Sequence, residues 1–205
     1  MASKRAVRAG LLARRSAIPP GLRGAADSAL VTYAMGTAVS VRAATVAAYV
    51  PLSGEPAGLG LVDALAAVAG RVLLPVLRDD RDLDWGVFRG PEFLEDGPFG
   101  LRQPAGPRLG VSAVASADLM IVPAVAVDRT GLRLGRGGGS YDRALARVAP
   151  GRTLVVALLY DGEVIDSVPA DPHDRQVDGV ITPSAGLFRF SMNVDQDTKT
   201  GRPPV

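Results

Sequence analysis

One apolar segment constrains the fold of this chain more than any other feature. Residues 118–127 are apolar at almost every position, as expected for a strand that is covered on both faces of a sheet. Two further apolar runs, 45–50 and 71–77, are separated by a loop and a helix that we expect near 59–69. This strand–loop–helix–strand order is typical of a parallel sheet. The sequence therefore predicts a three-layer αβα domain of the α/β class with a mainly parallel central sheet.

The rest of the chain supplies the outer layers and the remaining strands. We expect helices at 3–17, with Ser3 as N-cap, at about 21–39 and near 141–148. Further strands are expected at 83–89, 153–160 and 179–181. Residues 1–185 should form a single domain, and residues 186–205 a polar, disordered tail.

Composition and charge exclude several classes of function. The 205 residues include no Cys and carry a net charge of +2, so a disulfide framework and a thiolate metal site are excluded. The basic N-terminal helix has no interleaved aromatic residues, which argues against a nucleic-acid partner. Charged or turn residues interrupt every apolar stretch, and Arg14 and Arg15 stand where a signal peptide needs an apolar region. We expect a cytoplasmic monomer that binds small molecules, and neither nucleic acid nor a membrane.

The segment that carries most chemical information is 128–143, DRTGLRLGRGGGSYDR. Between a predicted strand and a predicted helix it contains four glycines: Gly135, Gly137, Gly138 and Gly139. Such a loop lets the backbone approach a ligand and offers N–H groups to an anion. Arg133 and Arg136 add guanidinium groups suited to phosphate oxygens. The loop is neither a Walker A motif nor a dinucleotide fingerprint, since Ser140 takes the place of the third glycine.

Several residues in and near this loop have more than one interpretation. A flexible turn would also explain the glycines. Asp142 could hold the Mg2+ that accompanies a nucleotide, or it could be a common first-turn helix acid. Lys4 and Arg8 project from one helix face and could contact a nucleoside triphosphate or belong to a solvated basic arm.

The glycine loop is similar to the signature of one enzyme family, the 5-formyltetrahydrofolate cyclo-ligases. The resemblance rests on the run from Pro123 to Asp128, on Arg133-Leu-Gly135 and on Gly137-Gly-Gly-Ser-Tyr-Asp-Arg143. Outside the loop, the matching residues are Lys4 and Arg8 in the N-terminal helix, Glu55 after the first strand, and the closing Val168-Pro169, His173-Asp174 and Val177-Asp178. The matches keep the family's order from about Lys4 to Ile181.

This resemblance implies an enzyme that converts 5-formyltetrahydrofolate and ATP into 5,10-methenyltetrahydrofolate, ADP and phosphate, with Mg2+. It assigns catalytic roles to Lys4, Arg136 and Tyr141, folate contacts to Val50 and Glu55, and Mg2+ to Asp142 and Asp174. It assigns nucleotide binding to Lys4, Arg5, Ala6, Val7, Arg8, Arg133, Leu134, Gly135, Arg136, Gly137, Gly138, Gly139, Ser140 and Tyr141.

Three positions depart from the family pattern: Ser140 replaces a tyrosine, Val127 a phenylalanine and Glu163 a glutamine. Ser140 and Glu163 could alter the folate pocket. Two alternatives to the enzyme therefore remain open. One is a family member that binds folate or nucleotide with little or no turnover, and the other is a different nucleotide or sugar-phosphate enzyme on a similar scaffold.

Three single residues also keep an alternative role. We expect His173 to be a surface or structural histidine rather than a base. Trp85 could stack on a pterin, although a lone Trp in such a segment is more often a core residue. Glu55 could cap the helix after its loop instead of contacting folate.

Overall fold

A computed structural model of the protein describes residues 3–169, 171 and 174–190. Its α-helices are α1 (Lys4–Ser16), α2 (Pro20–Ser40), α3 (Gly60–Ala66) and α4 (Ser140–Leu145). Its strands are β1 (Thr45–Ala47), β2 (Arg71–Leu77), β3 (Leu83–Val87), β4 (Leu94–Asp96), β5 (Arg102–Pro104), β6 (Leu119–Pro123), β7 (Ala126–Asp128), β8 (Arg133–Leu134), β9 (Leu154–Leu158), β10 (Val164–Ile165), β11 (Gly179–Thr182) and β12 (Gly186–Arg189).

The central sheet has seven strands in the order β12-β11-β9-β6-β1-β2-β3. The five inner strands are parallel, and an antiparallel strand closes each edge. The chain leaves β1 for β2 on one side and returns to β6 on the other. In open α/β sheets, ligands bind at the carboxyl ends of the strands beside such a reversal.

Alternate residues of the inner strands enter two separate cores. Val46 and Ile121 face one core, which α2 and α3 cover. Their neighbours Ala47 and Val122 face the other core, which α4 and the 3₁₀ helix Val111–Ser116 cover. The predicted three-layer α/β architecture is thus confirmed, with apolar strand runs because both sheet faces are buried.

Helix α1 packs on a second, smaller sheet of order β10-β7-β8. Its Leu11 joins a buried cluster with Val125, Leu134 and Val168. The Ser3 hydroxyl accepts a 3.3 Å hydrogen bond from the amide of Ala6, so the predicted N-cap is confirmed. This docking places the basic start of α1 beside the loop that follows β8.

Two predictions about the chain's course were wrong. The apolar run 118–127 forms two strands, because Pro123 lacks the amide needed to extend the ladder and the chain passes into the small sheet. The predicted tail does not begin at residue 186, since Gly186–Arg189 pair antiparallel with β11. Residues 191–205 of that tail lie outside the described residues. No helix in the described part of the chain is long and apolar enough to cross a membrane.

Candidate active site

A cleft of about 1230 Å³ opens at the carboxyl ends of the inner strands. Tyr49 and Val50 line it after β1, Leu77 at the end of β2, and Pro123 and Ala124 at the end of β6. Most residues predicted to bind ligands also line it: Lys4, Arg8, Val50, Glu55, Arg133, Leu134, Gly135, Arg136, Gly137, Gly138, Gly139, Ser140, Tyr141, Asp142 and Asp174. The fold therefore gathers segments that are far apart in sequence at the edge where α/β proteins bind ligands.

Three of the residues expected to bind nucleotide do not line this cleft. Arg5 is exposed, and the amide of Ala6 is bonded to the N-cap. Val7 packs against the core cluster around Leu11. The contacts of Ala6 and Val7 thus belong to the N-cap and packing of α1.

The glycine loop between β8 and α4 has a specific backbone shape. Gly137 and Gly139 have φ values of 101° and 71°, a region that L side chains enter only with strain. The Arg8 Nε donates a 2.8 Å hydrogen bond to the Gly135 carbonyl, so α1 is fastened to the loop. Arg133, at the loop's entrance, donates to the Pro123 carbonyl at 3.2 Å. These contacts describe a shaped loop rather than a flexible turn.

Lys4 lies between two carboxylates at the cleft's edge. Its Nζ is 2.6 Å from an oxygen of Asp171 and 2.6 Å from an oxygen of Asp174. Burial lowers the pKa of Lys4, but the hydrogen bonds and charges of the two carboxylates raise it above its ordinary value overall. The ammonium group is therefore held in its charged form.

Arg133 and Arg136 each pair with one acid inside the cleft. The Arg133 guanidinium is buried and donates to Asp142 at 3.0 Å. The Arg136 Nε donates to the buried Glu55 carboxylate at 2.8 Å. Hence Arg133 and Arg136, like Lys4, are compensated by the protein's own carboxylates in the free cleft.

The structure also bears on the predicted magnesium ligands, Asp142 and Asp174. The amide of Arg175 lies 3.5 Å from an oxygen of Asp142, so the two acidic segments are adjacent. Within the ranges that the structure describes there is no group of three or more Asp, Glu, His or Cys that could hold a metal. Two carboxylates nevertheless suit Mg2+ when phosphates and water supply its other ligands. His173 lies outside the described residues.

Glu55 is held in place by its own loop. Its second carboxylate oxygen accepts a 2.9 Å hydrogen bond from the amide of Leu52. The helix-cap interpretation is wrong, because α3 begins at Gly60 and no side chain caps it. The other carboxylate oxygen of Glu55 instead accepts the hydrogen bond from Arg136 in the cleft.

Two residues outside any motif, Asp27 and Tyr160, hold the loop that carries Glu55. The Asp27 carboxylate of α2 accepts hydrogen bonds from the amide of Ala57 at 2.9 Å and from the Tyr160 hydroxyl at 2.8 Å. Ala57 has a φ of 74°, a conformation that persists only where surrounding contacts hold it. Asp27 thus supports Glu55 through Ala57, and the Tyr160 hydroxyl also lies 3.4 Å from the Glu55 carbonyl oxygen. No sequence pattern marks either residue.

Tyr141 follows the glycine loop in α4 and lines the cleft. The guanidinium carbon of Arg133 lies 5.8 Å from its ring centroid. Burial and the charge of Glu55 raise the pKa of Tyr141 far above its ordinary value. Its hydroxyl therefore stays protonated and can act as a hydrogen-bond donor.

Two residues considered for the site, Trp85 and Glu163, lie in the core instead. Trp85 is fully buried between the sheet and α4, so the pterin-stacking interpretation is wrong. Val127 is likewise buried in β7. Glu163 does not line the cleft but forms a buried bidentate pair with Arg15 at 2.7 Å, and Arg15 also donates to the Ala124 carbonyl. Ser140, the remaining departure, does line the cleft.

Comparisons with known proteins identify relatives of this chain in sequence and in structure. The sequence model of the 5-formyltetrahydrofolate cyclo-ligase family matches residues 1–183. The chain is 42% identical over 190 residues to a 5-formyltetrahydrofolate cyclo-ligase of Mycolicibacterium smegmatis, covering 90% of this chain and 96% of that protein. It is 30% identical to that of Escherichia coli, covering 83% and 95%. The solved structure of Aquifex aeolicus 5,10-methenyltetrahydrofolate synthetase superposes with a TM-score of 0.73 at 26% identity, covering 98% of this chain and 96% of the other.

Proposed function

This chain belongs to the 5-formyltetrahydrofolate cyclo-ligase family, and from that premise we propose that it uses ATP to convert 5-formyltetrahydrofolate into 5,10-methenyltetrahydrofolate, with release of ADP and phosphate. The observation that carries this proposal is the convergence of cations and glycines on one cleft beside Glu55. Phosphate-binding groups and an acid suited to a pterin face the same space.

The reaction needs no protein nucleophile. The formyl oxygen is an amide oxygen and a poor leaving group, so it first attacks the γ-phosphorus of ATP, and ADP leaves. N10 then attacks the formyl carbon of the resulting imidate-like phosphate, a new C–N bond forms, and phosphate departs as the N10 proton is lost. Both steps depend mainly on positioning and charge neutralisation.

The cleft residues divide these tasks by their chemistry. Lys4, Arg8, Arg133 and Arg136 bind the phosphates, and the backbone of the glycine loop lies against them. Asp142 and Asp174 hold Mg2+, which neutralises phosphate charge when bound. Glu55 accepts hydrogen bonds from the N–H groups of the pterin, and Val50 contacts the folate at the end of β1.

Under this assignment, each ligand binds to a cleft in which Lys4, Arg133 and Arg136 are already paired with carboxylates. Phosphates that bind Lys4 and Arg133 would compete with Asp174 and Asp142 for these cations, and the two carboxylates would hold the metal. When phosphates take Arg136, the buried Glu55 carboxylate needs new donors, and the pterin supplies them.

The direct test is a spectral assay of the purified protein. With Mg-ATP and 5-formyltetrahydrofolate we expect the near-ultraviolet absorbance of the methenyl product, and no signal when ATP is omitted. Binding of both ligands without product would instead favour a non-catalytic family member.

The Arg136→Ala variant tests the phosphate assignment. Removing one electrostatic contact from such a site costs about 100-fold in turnover, so the variant should be nearly inactive but folded. Arg129→Ala is a matched control, because Arg129 is exposed and pairs with the exposed Asp166. Full activity of Arg136→Ala would contradict the assignment.

A further inference from the structure

Tyr49 is a cleft-lining residue whose hydroxyl is unpartnered in the free protein. Its side chain is 4% exposed, it lines the cleft beside Val50, and its hydroxyl has no hydrogen-bond partner among residues 3–169, 171 and 174–190. Buried polar groups are nearly always paired, because an unpaired one destabilises the fold. The Tyr49 hydroxyl is itself buried, beside the cleft that its residue lines, and an unsatisfied donor in that position can bond a ligand group that is buried next to it.

The surroundings of Tyr49 define what that ligand group must be. Burial, and after it the negative charge of Glu55, raise the pKa of Tyr49 well above its ordinary value. The group is therefore a neutral hydroxyl and a good donor near a carboxylate that accepts. A formylated pterin offers N–H donors, which suit Glu55, and carbonyl oxygens, which need a donor.

The position of Tyr49 supports the same assignment. It follows β1, the inner strand at the chain reversal, and precedes Val50. The arginines assigned to phosphate, Arg133 and Arg136, belong to the segment from β8 to α4. Tyr49 and Val50 instead line the cleft from the end of β1, where the folate is assigned.

We propose that the Tyr49 hydroxyl donates a hydrogen bond to a carbonyl oxygen of the formylated pterin. Tyr49 is then a substrate-binding residue beside Val50 and Glu55. The inference rests on the proposed function and adds the group that recognises the acceptor side of the substrate.

Calorimetry with the Tyr49→Phe variant tests this inference. The variant should bind 5-formyltetrahydrofolate about five- to tenfold more weakly, since it lacks one hydrogen bond. Its affinity for a non-hydrolysable ATP analogue should not change. Its melting temperature should stay equal or rise, because an unsatisfied buried hydroxyl is removed. Tyr33→Phe is the matched control, since Tyr33 is exposed on α2 and should leave all three measurements unchanged.

A second ligand identifies the bonded oxygen. 5-Methyltetrahydrofolate keeps the ring carbonyl and lacks the formyl oxygen, so a loss confined to the formyl compound assigns the bond to the formyl oxygen. An equal loss for both folates assigns it to the ring carbonyl. Wild-type affinity of Tyr49→Phe for both folates would overturn the role of Tyr49. Failure of the wild type to bind either folate would overturn the proposed function as well.

Discussion

The Arg136–Glu55 ion pair predicts that nucleotide and folate bind cooperatively. The pair joins a residue assigned to phosphate with a residue assigned to the pterin, at 2.8 Å. Either ligand must break the pair in order to bind, and the second ligand then finds it already broken. Thermodynamic linkage makes this coupling positive and equal in both directions.

The size of the coupling follows from the burial of the two partners. The side chain of Glu55 is 7% exposed and that of Arg136 is 48% exposed, so solvent screens one end of the pair. Exposed ion pairs contribute about 0.2–1 kcal/mol and hydrogen bonds to buried charges about 1.5–3 kcal/mol. A value of about 1–2 kcal/mol lies between them and corresponds to a factor of about 5 to 30 in affinity.

Calorimetry can measure this factor directly. The dissociation constant of 5-formyltetrahydrofolate should fall about 5- to 30-fold when a non-hydrolysable ATP analogue and Mg2+ are present. In Arg136→Met the pair is absent, so the folate should bind more tightly than to the wild type without nucleotide, and should no longer respond to the analogue.

Two results would refute this reasoning. One is a folate affinity of the wild type that does not depend on the analogue. The other is an unchanged response to the analogue in Arg136→Met. Arg129→Met, which breaks an exposed pair elsewhere, should behave like the wild type and controls for the change of net charge.

Two further predictions concern residues that hold the site and the fold. Tyr160→Phe should lower the free energy of unfolding in urea by about 1 kcal/mol and raise the KM for folate, because Asp27 loses a contact that holds the Glu55 loop. Thr153→Val removes a buried hydroxyl that bonds the Ala117 carbonyl, and it should lower stability without raising the KM for folate. If the two variants had the same KM for folate, the positioning role of Tyr160 would be contradicted. Burial raises the pKa of Asp128, but its hydrogen bonds lower it overall below the ordinary 3.8, so its stabilising effect is present above pH 3.8 and lost as the pH falls through the lower, folded-state pKa. The free energy of unfolding should therefore fall less steeply with decreasing pH below 3.8 in Asp128→Asn than in the wild type. The same slope in both proteins would contradict this prediction.

The sequence predicts the central sheet well because its inner strands are long apolar runs. The predicted strand 71–77 is confirmed at both ends, since apolar residues fill its interior and both of its faces are covered. The sequence pattern does not predict a strand whose pairing depends on a distant part of the chain. Gly186–Arg189 becomes a strand through β11, and its own mostly exposed residues carry no signal of burial.

The cleft residues could be located from sequence because motifs mark them and parallel strands end on one edge. Their pairing could not be predicted. Glu55 and Arg136 are 81 positions apart, and Arg15 and Glu163 are 148 apart, so only the folded chain brings them together. Tyr49, Asp27 and Tyr160 belong to no motif, and their roles follow from geometry alone.

The pairing of charges also explains how a cationic cleft can exist before a nucleotide arrives. Like charges gathered in a partly desolvated space repel one another, and here Asp171 and Asp174 offset Lys4 while Asp142 offsets Arg133. Under the proposed function, the phosphates of the nucleotide would compete with Asp142 and Asp174 for these cations. Binding would then be an exchange of partners, and a divalent cation bound with the nucleotide would offset the negative charge that gathers there. The two acids predicted to hold magnesium, Asp142 and Asp174, are thus the same groups that pair with cations in the free cleft.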